Sequence, residues 1–516
     1  RHLEEVGFDA INCSNGMYAS KPTDQVIAPM FTPHAVNMDR CALIKQVVNI
    51  PVILSNRVND PEMADTLLAM GTADFVAMGR GSLADPHMPN KAKAGKTCTI
   101  RQCIGCLQGC EFPLYIDSEV TCLVNPRVGR EYEDAMDKVE TAKKVMVIGA
   151  GPAGMSCAYF LAIEGYKPVV FEKEAAPGGM LVNGIPAFRV DKAVVNSEIE
   201  VLREMGVEFR CGVEVGRDVT IQQLRDEGYK AFYVAVGLQK ATALGIEGEQ
   251  LKGVTGGLDF LRRVNAGEAA QLKGDTIVIG GGNATIDVAR TALRKGKGKV
   301  QMFCLEKDED MPTVPEEKNA GLEDGVVINN CWGPKRIIGE KGKVTGVEFM
   351  RCVSVKDEDG KFNPVYDENE TLTVPCSNVL VAIGQRSDYG TLLAGTKAET
   401  PDGRLIDCDK ITFQSAEPDI FIGGDCATGP MYTIDAIATG REGAVSIHRF
   451  VNVGQSLTIH RNTRYFEPLN KDNIVLPPDS YKKPARNEHG IDQAKVKTMC
   501  DERVTFTEEQ IKSEAS

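Results

Sequence analysis

The chain has 516 residues, room for roughly three to four domains, and 42% of them are hydrophobic, enough for large cores. Its formal net charge of −13 argues against nucleic acid and anionic membrane surfaces as partners. Neither an apolar run of about 18 residues nor a signal-peptide pattern is present, so a cytoplasmic protein is expected.

Residues 1–98 repeat a unit of helix, glycine, short apolar strand and polar turn. The strands are expected at residues 8–13, 51–55 and 73–78, and the helices at 40–48 and 61–70. Continuous apolar strands alternating with amphipathic helices indicate a parallel α/β sheet. Asn56 and Arg57 follow the second strand; Gly79 and Arg80 follow the third. At the end of a β/α barrel such turns bind phosphate through backbone N–H groups, with an arginine as counter-charge. The alternative on these residues alone is three ordinary βα units with surface arginines.

The 16 cysteines are scattered except for one tight group, a usage that fits a reducing compartment and metal ligation. That group is Cys103, Cys106, Cys110 and Cys122, spaced C-x2-C-x3-C-x11-C. Thiolates are soft ligands, and a cubane cluster takes one per iron. Structural zinc is the alternative, but zinc sites usually show two C-x2-C pairs, and this spacing is uneven. The other cysteines read as small buried hydrophobes.

A buried strand at 143–148 then leads into Gly149-Ala150-Gly151-Pro152-Ala153-Gly154 and a helix. A second strand ends at Glu172, 23 residues after Gly149. This is G-x-G-x-x-G in its strand–turn–helix setting, with an acid placed for the adenosine ribose. Strands at 232–237, 379–384 and 420–425 favour a flavin here. The last one brings Gly424 and Asp425, whose carboxylate is expected to reach a ribityl chain. A second fingerprint starts 131 residues after the first, at Gly280-Gly281-Gly282-Asn283-Ala284-Thr285. Thr285 replaces its third glycine, so looser helix–strand packing is expected. Glu306 closes the next strand; an acid there suits ribose hydroxyls and repels a 2′-phosphate, which predicts NADH over NADPH. Two core α/β repeats without ligand are the alternative.

Residues 1–135 resemble the barrel end and cluster of the old-yellow-enzyme-related iron–sulfur flavoenzymes. That group includes 2,4-dienoyl-CoA reductase, 2-enoate reductase and the bile-acid-inducible NADH:flavin oxidoreductases. The matching stretches are residues 55–61, 73–80 and 83–86, the cysteine quartet, and 122–127. Residues 141–516 resemble the glutamate synthase small subunit, on Gly178-Gly179-Met180-Leu181, Gly184-Ile185-Pro186-Ala187-Phe188-Arg189, 280–283, Met311-Pro312 and 505–510. The resemblance implies FMN at Asn56, Arg57, Gly79 and Arg80, and a [4Fe-4S] cluster on the four cysteines. It also implies FAD at Gly149, Gly151, Ala153, Gly154, Glu172, Gly179, Gly237, Gly424 and Asp425. NADH is expected at Gly280, Gly282, Asn283, Ala284 and Glu306. The implied electron path runs from NADH through FAD and the cluster to FMN, and then to an activated alkene.

The expected fold is thus α/β: the C-terminal part of a TIM barrel (1–98), an iron–sulfur segment (99–140), and two nested Rossmann-like domains. FAD is assigned to 141–265 and 371–455, NAD(H) to 266–370, and an extended arm to 456–516. Where dienoyl-CoA reductases carry a Trp-His pair, this chain has Met17-Tyr18. Tyr18 is the candidate proton donor, a weaker acid than imidazolium, which favours a simpler enone or enoate as substrate; a plain loop aromatic is the alternative. The relatives' paired arginines are replaced by Leu305-Glu306, again favouring NADH. The other readings are an electron-transfer subunit that feeds a separate partner, and an NADH oxidase. Self-association is left open. Arg1 stands inside an apparent helix, and residues 506–512 read as another, so a piece of a longer polypeptide is expected.

Overall fold

The computed structural model describes residues 1–16, 27–29, 32–111, 113, 119–125, 127–129, 139, 141–268, 270–452, 454–459, 461, 487, 490–496, 498–504, 506–507 and 509–510. The chain divides into two compact units. One is Arg1–Asp137 with Lys482–Asn487 and Phe506–Ser516; the other is Lys138–Tyr481 with Glu488–Thr505.

In the first unit the strands Ile11–Cys13, Val52–Leu54 and Phe75–Val76 lie parallel in that order. Helices Met38–Lys45 and Pro61–Ala69 stand between them in the chain, as the alternation requires. The second helix starts where Asp60 accepts a hydrogen bond from the Glu62 N–H (3.1 Å) and Pro61 presets the first turn. Cys13, Cys41, Val52, Leu54, Val58 and Leu67 form the core of this layer. Cys13 and Cys41 thus act as small hydrophobes.

The second unit holds two parallel five-stranded sheets. The first runs Ile420–Ile422, Ala231–Val234, Val145–Ile148, Val169–Glu172, Glu208–Cys211. Its central strand is fully buried because both faces are covered. Val145 and Val147 pack with Leu161, Tyr233 and Ile447 on one side; Met146 and Ile148 pack with Phe232, Leu392 and Ile420 on the other. The helices Pro152–Ile163 and Thr433–Val451 meet closely, and Ser156 Oγ donates to the Ile437 carbonyl (2.7 Å).

The second sheet runs Val327–Asn329, Val300–Phe303, Thr276–Ile279, Asn378–Val381, Val254–Gly256. The strand expected at 379–384 beside the flavin forms as Asn378–Val381, and its hydrogen bonds go to Thr276–Ile279 of the nucleotide sheet instead. Likewise Val254–Gly256 belongs with the nucleotide sheet, so that sheet reaches beyond residues 266–370 on both sides. The reason is physical: Val234 and Val381 end equally apolar strands, each followed three residues on by glycine, and such a pattern does not say which sheet a strand joins.

An antiparallel sheet of Trp332–Glu340, Lys343–Lys356 and Phe362–Pro375 is inserted in the chain between Val327–Asn329 and Asn378–Val381, and its Phe349 stacks on Phe303 of the nucleotide sheet (4.1 Å between centroids). Among the described residues no helix is long and apolar enough to cross a membrane.

Candidate functional site

The first glycine turn shows three glycines with three different jobs. Gly149 has φ +102°, and a Cβ on it would lie 2.4 Å from the Ala235 carbonyl oxygen. Gly154 sits in the first turn of its helix, where a Cβ would lie 1.9 Å from the Gly149 oxygen. Gly151 is open: a Cβ there would meet only the Gly179 Cα, at 3.9 Å. One glycine makes the turn, one seats helix on strand, and one leaves room for a ligand to approach the backbone.

These residues edge a cavity of about 400 Å³ in the second unit. Gly149, Gly151, Ala153, Glu172, Gly179, Gly237, Gly424 and Asp425 all line it; Gly154 packs behind the wall. The Glu172 carboxylate accepts from Ala150 N–H (2.7 Å) and Glu174 N–H (3.0 Å). Burial pushes its pKa up, against the pull of those two bonds. The acid of the fingerprint therefore braces the glycine turn while facing the cavity. Asp425 is also pushed up by burial.

At the second turn, Gly280 has φ +142°, and a Cβ on it would press on the Ala382 carbonyl oxygen at 2.3 Å. Thr285 is fully buried, and its hydroxyl donates to that same oxygen at 3.0 Å. The looser packing expected from losing the third glycine is replaced by a hydrogen bond. A Cβ on Gly282 would meet nothing, so this turn too is open to a ligand. Asn283 Oδ1 accepts from Thr313 Oγ1 (2.7 Å) and from Val314 N–H (2.9 Å), tying the turn to the next helix. The Glu306 carboxylate lies against Gly281, within 2.6 Å of where a Cβ would stand. Ala284 reaches the flavin-side cavity; Gly280, Gly282, Asn283 and Glu306 do not line it.

Asp287, one helical turn beyond Asn283, lines the same cavity. Arg189 Nη1 donates to it at 2.7 Å, and Arg189 also pairs with Glu317. Burial outweighs Arg189 and holds Asp287 up at about 6. An unfolded aspartate titrates near ~3.9, so the folded protein binds more protons between about pH 4 and pH 6. Stability is then full below about pH 4 and falls as pH rises through about 6, by at most about 3 kcal/mol from this group. Asp287→Asn is expected to flatten that part of the stability–pH curve in denaturant titrations. The sequence reading missed this residue, although it follows the glycine turn at helical spacing from Asn283.

The first unit carries a second cavity, of about 370 Å³, lined by Ser55, Asn56, Arg57, Gly79, Arg80, Cys103 and Cys110 among others. All four residues expected at a phosphate site are thus in one place. Asn56 and Arg57 have φ +84° and +58°, unusual for side-chain-bearing residues. Arg80 donates to the Ala28 carbonyl (2.7 Å) and to Asn56 Oδ1 (3.3 Å). Arg57 Nε is buried without a hydrogen-bond partner among the described residues, and burial followed by Arg80 lowers its pKa. Two guanidiniums and the Glu111 carboxylate face this cavity, and among the described residues neither Arg57 nor Arg80 forms a salt bridge with a carboxylate. That fits an anion.

Cys103, Cys106, Cys110 and Cys122 line one further cavity of about 20 Å³. The fourth cysteine arrives because Thr121 N–H donates to the Gly109 oxygen at 2.6 Å, an approach only glycine permits: a Cβ there would meet the Thr121 oxygen at 2.6 Å. The Cys110 pKa is raised by burial, lowered by Arg80, and raised again by the other three thiols. Among the described residues no three metal-ligating side chains converge on a single ion. The donor set, four thiols around one space, fits an iron–sulfur cluster. Tyr18 lies outside the described residues.

Two open glycine turns at strand ends, the first on a cavity that Ala284 beside the second also reaches, fit a dinucleotide-binding oxidoreductase. Residues 143–440 match the model of the pyridine nucleotide-disulphide oxidoreductase family, more than half of the chain, and the chain belongs to that family. Residues 2–98 match the NADH:flavin oxidoreductase / NADH oxidase family. The chain is 36% identical over 323 residues to the NADP(+)-dependent formate dehydrogenase subunit beta of Moorella thermoacetica, covering 61% of this chain and 45% of that protein. It is 34% identical over 330 residues to the glutamate synthase [NADPH] small chain of Escherichia coli, covering 61% and 70%. It is 30% identical over 412 residues to the cinnamate reductase of Clostridium sporogenes, covering 79% and 57%. The chain spans about half the length of the first two curated relatives it matches.

Proposed function

We propose that the chain is the electron-delivering portion, with part of the FMN barrel, of an NADH-dependent ene-reductase acting on an enone or enoate. The observation that carries this reading is the presence of two ligand cavities of different design: one on the glycine turns, and one with two arginines outside any salt bridge among the described residues, beside four thiols. A protein that only relays electrons to a partner has no use for the second. The match of residues 2–98 to the flavin oxidoreductase family and the likeness to a cinnamate reductase support it.

In this reading FAD occupies the cavity along Gly149, Gly151 and Glu172, and the nicotinamide coenzyme lies on Gly280, Gly282 and Glu306. FMN phosphate is held by Asn56, Arg57, Gly79 and Arg80, and a [4Fe-4S] cluster by Cys103, Cys106, Cys110 and Cys122. Bound there, these groups would supply hydride acceptance from NADH, single-electron transfer through the cluster, and hydride donation from FMN to the alkene, the matching proton coming from solvent or a side chain; the chain supplies placement and exclusion of water. Substituting any one of the four cysteines with serine is expected to cut reconstituted iron from about four per chain to a small fraction. Iron and sulfide analysis reads this directly.

Glu306 beside Gly281 supports NADH, although the names of both the formate dehydrogenase and the glutamate synthase relatives specify NADP(H). Glu306→Ser is expected to erode the NADH:NADPH ratio of kcat/KM by roughly tenfold or more, since an acid at the ribose repels the 2′-phosphate. A ratio unmoved by the substitution would remove Glu306 from that role.

The likeness to two proteins named as subunits favours a second reading, an electron-transfer subunit that feeds a partner. The FMN-to-FAD ratio released from the full-length protein, purified without oxygen, separates the two. A ratio near one, with NADH-driven reduction of cinnamate-like enoates, supports the reductase; FAD without FMN leaves the relay.

A further inference from the structure

The two cavities of the first unit share a wall. Arg80, Leu83, Cys103, Gly105 and Cys110 face both the anion-type cavity and the small thiol-lined one. Arg80 is held there by neutral acceptors only, the Ala28 carbonyl and the Asn56 side-chain oxygen. Arg57 brings a second guanidinium whose Nε is buried without a partner among the described residues. Arg80 is the one charged side chain among the described residues that lines both cavities. One guanidinium thus faces negative charge arriving on either side.

We infer that Arg80 is a positioning residue that links the two sites, so that a phosphate dianion in the larger cavity and an added electron on the thiolate-bound cluster oppose each other. The inference rests on the iron–sulfur and phosphate reading above. The balance is simple: one electron enters the cluster and raises its negative charge by one, and no bond forms or breaks. Seating a phosphate draws on the same guanidinium, so the reduced cluster is stabilised less and its midpoint potential falls. By linkage, the reduced cluster weakens phosphate binding by the same factor. A factor of about ten lies within the usual range of coupling, equivalent to about 59 mV for a one-electron couple. The device keeps an electron from resting on the cluster while the phosphate-bearing ligand is in place.

The test uses the whole chain reconstituted anaerobically with iron and sulfide, at fixed ionic strength in chloride. The cluster's midpoint potential is followed by electron paramagnetic resonance alone, with inorganic phosphate, with FMN, and with riboflavin, which has the ring without the phosphate. Inorganic phosphate and FMN are each expected to lower the midpoint by the equivalent of about tenfold, and riboflavin to leave it in place. A shift with FMN but not with free phosphate limits the linkage to the flavin phosphate and still supports it. Arg80→Gln should lose the shift and Arg80→Lys keep part of it. Arg263→Gln, the same charge change on the exposed Arg263–Glu268 pair, should keep all of it. A midpoint indifferent to both phosphate and FMN, an equal shift with riboflavin, or a full shift surviving in Arg80→Gln overturns the inference while leaving the cluster reading intact. A chain that takes up no iron overturns the cluster reading, and the inference falls with it.

Discussion

Replacing Gly154 with alanine is expected to cost the chain its flavin. The added methyl would stand 1.9 Å from the Gly149 carbonyl oxygen and 3.1 Å from Val147 Cγ1. Gly149 cannot yield, because its own Cα faces the Ala235 carbonyl so closely that a Cβ would be 2.4 Å away. The strain must be relieved by lifting the helix Pro152–Ile163 off the strand Val145–Ile148. That opens the cluster in which Ala153, Cys157 and Leu161 pack on Val145 and Val147. Overpacking of this kind costs on the order of 3 kcal/mol, and the glycine turn moves with the helix. Gly151→Ala makes the contrast. Its methyl meets only the Gly179 Cα at 3.9 Å, so folding should be untouched while the methyl occupies the space a pyrophosphate needs. Thermal midpoints and bound-flavin absorbance of the two variants read this out. Both should lose flavin, and only Gly154→Ala should also lose several degrees of stability. A Gly154→Ala protein with full flavin and an unchanged midpoint would show that the helix is not seated on this contact.

The same turn shows why so much of the cavity was legible in the sequence. A glycine required by φ or by a backbone contact leaves a letter in the chain at a fixed spacing, and the acid that follows is fixed by the length of one βαβ unit. The four cysteines carry the same kind of information, since thiol chemistry restricts the residue type. What went unread depends on partners distant in sequence. Asp287 gains its meaning from Arg189, 98 residues away, and a lone aspartate on a helix does not announce its ion pair. Asn378–Val381 joined the nucleotide sheet because Thr276–Ile279 offered it an edge, a choice its own apolar letters do not encode. The antiparallel sheet over residues 332–375 did leave a trace. Val344, Gly346, Val347, Phe349 and Cys352 are the buried positions of its middle strand, but the adjacent Gly346 and Val347 and the bulges between Met350 and Arg351 and between Cys352 and Ser354 break the strict alternation that marks a strand.

Asp324→Asn is expected to destabilise the second unit by about 3–5 kcal/mol, the cost of leaving buried charge unpaired. Arg290 and Arg294, one turn apart on the helix Asn283–Lys295, both donate to Asp324, at 2.7 and 2.6 Å, and both pair with Glu502. The four side chains are 1–9% exposed, two positive and two negative, and the Phe188 ring lies 4.9 and 4.2 Å from the two guanidinium carbons. Removing Asp324 leaves two guanidiniums with one carboxylate and no water to replace the other. Glu502→Gln should cost less, roughly 2 kcal/mol, because its partner segment can pull away and let solvent reach the arginines. That segment is held by Glu502 and by the Arg294 bond to the Thr498 carbonyl (3.0 Å), so its release should appear as faster proteolysis within residues 490–504. The double variant should lose less than the sum of the two, since the release of the segment that follows Glu502→Gln lets solvent reach the arginines and lowers the cost of losing Asp324. Additive losses would mean that Asp324 and Glu502 act independently. The network bears on the cavity through Arg290, which also helps hold the Asp287 carboxylate in its charged form. Freed from Asp324, Arg290 has one carboxylate fewer to serve, so the fall in stability between about pH 4 and pH 6 assigned to Asp287 should become shallower in Asp324→Asn.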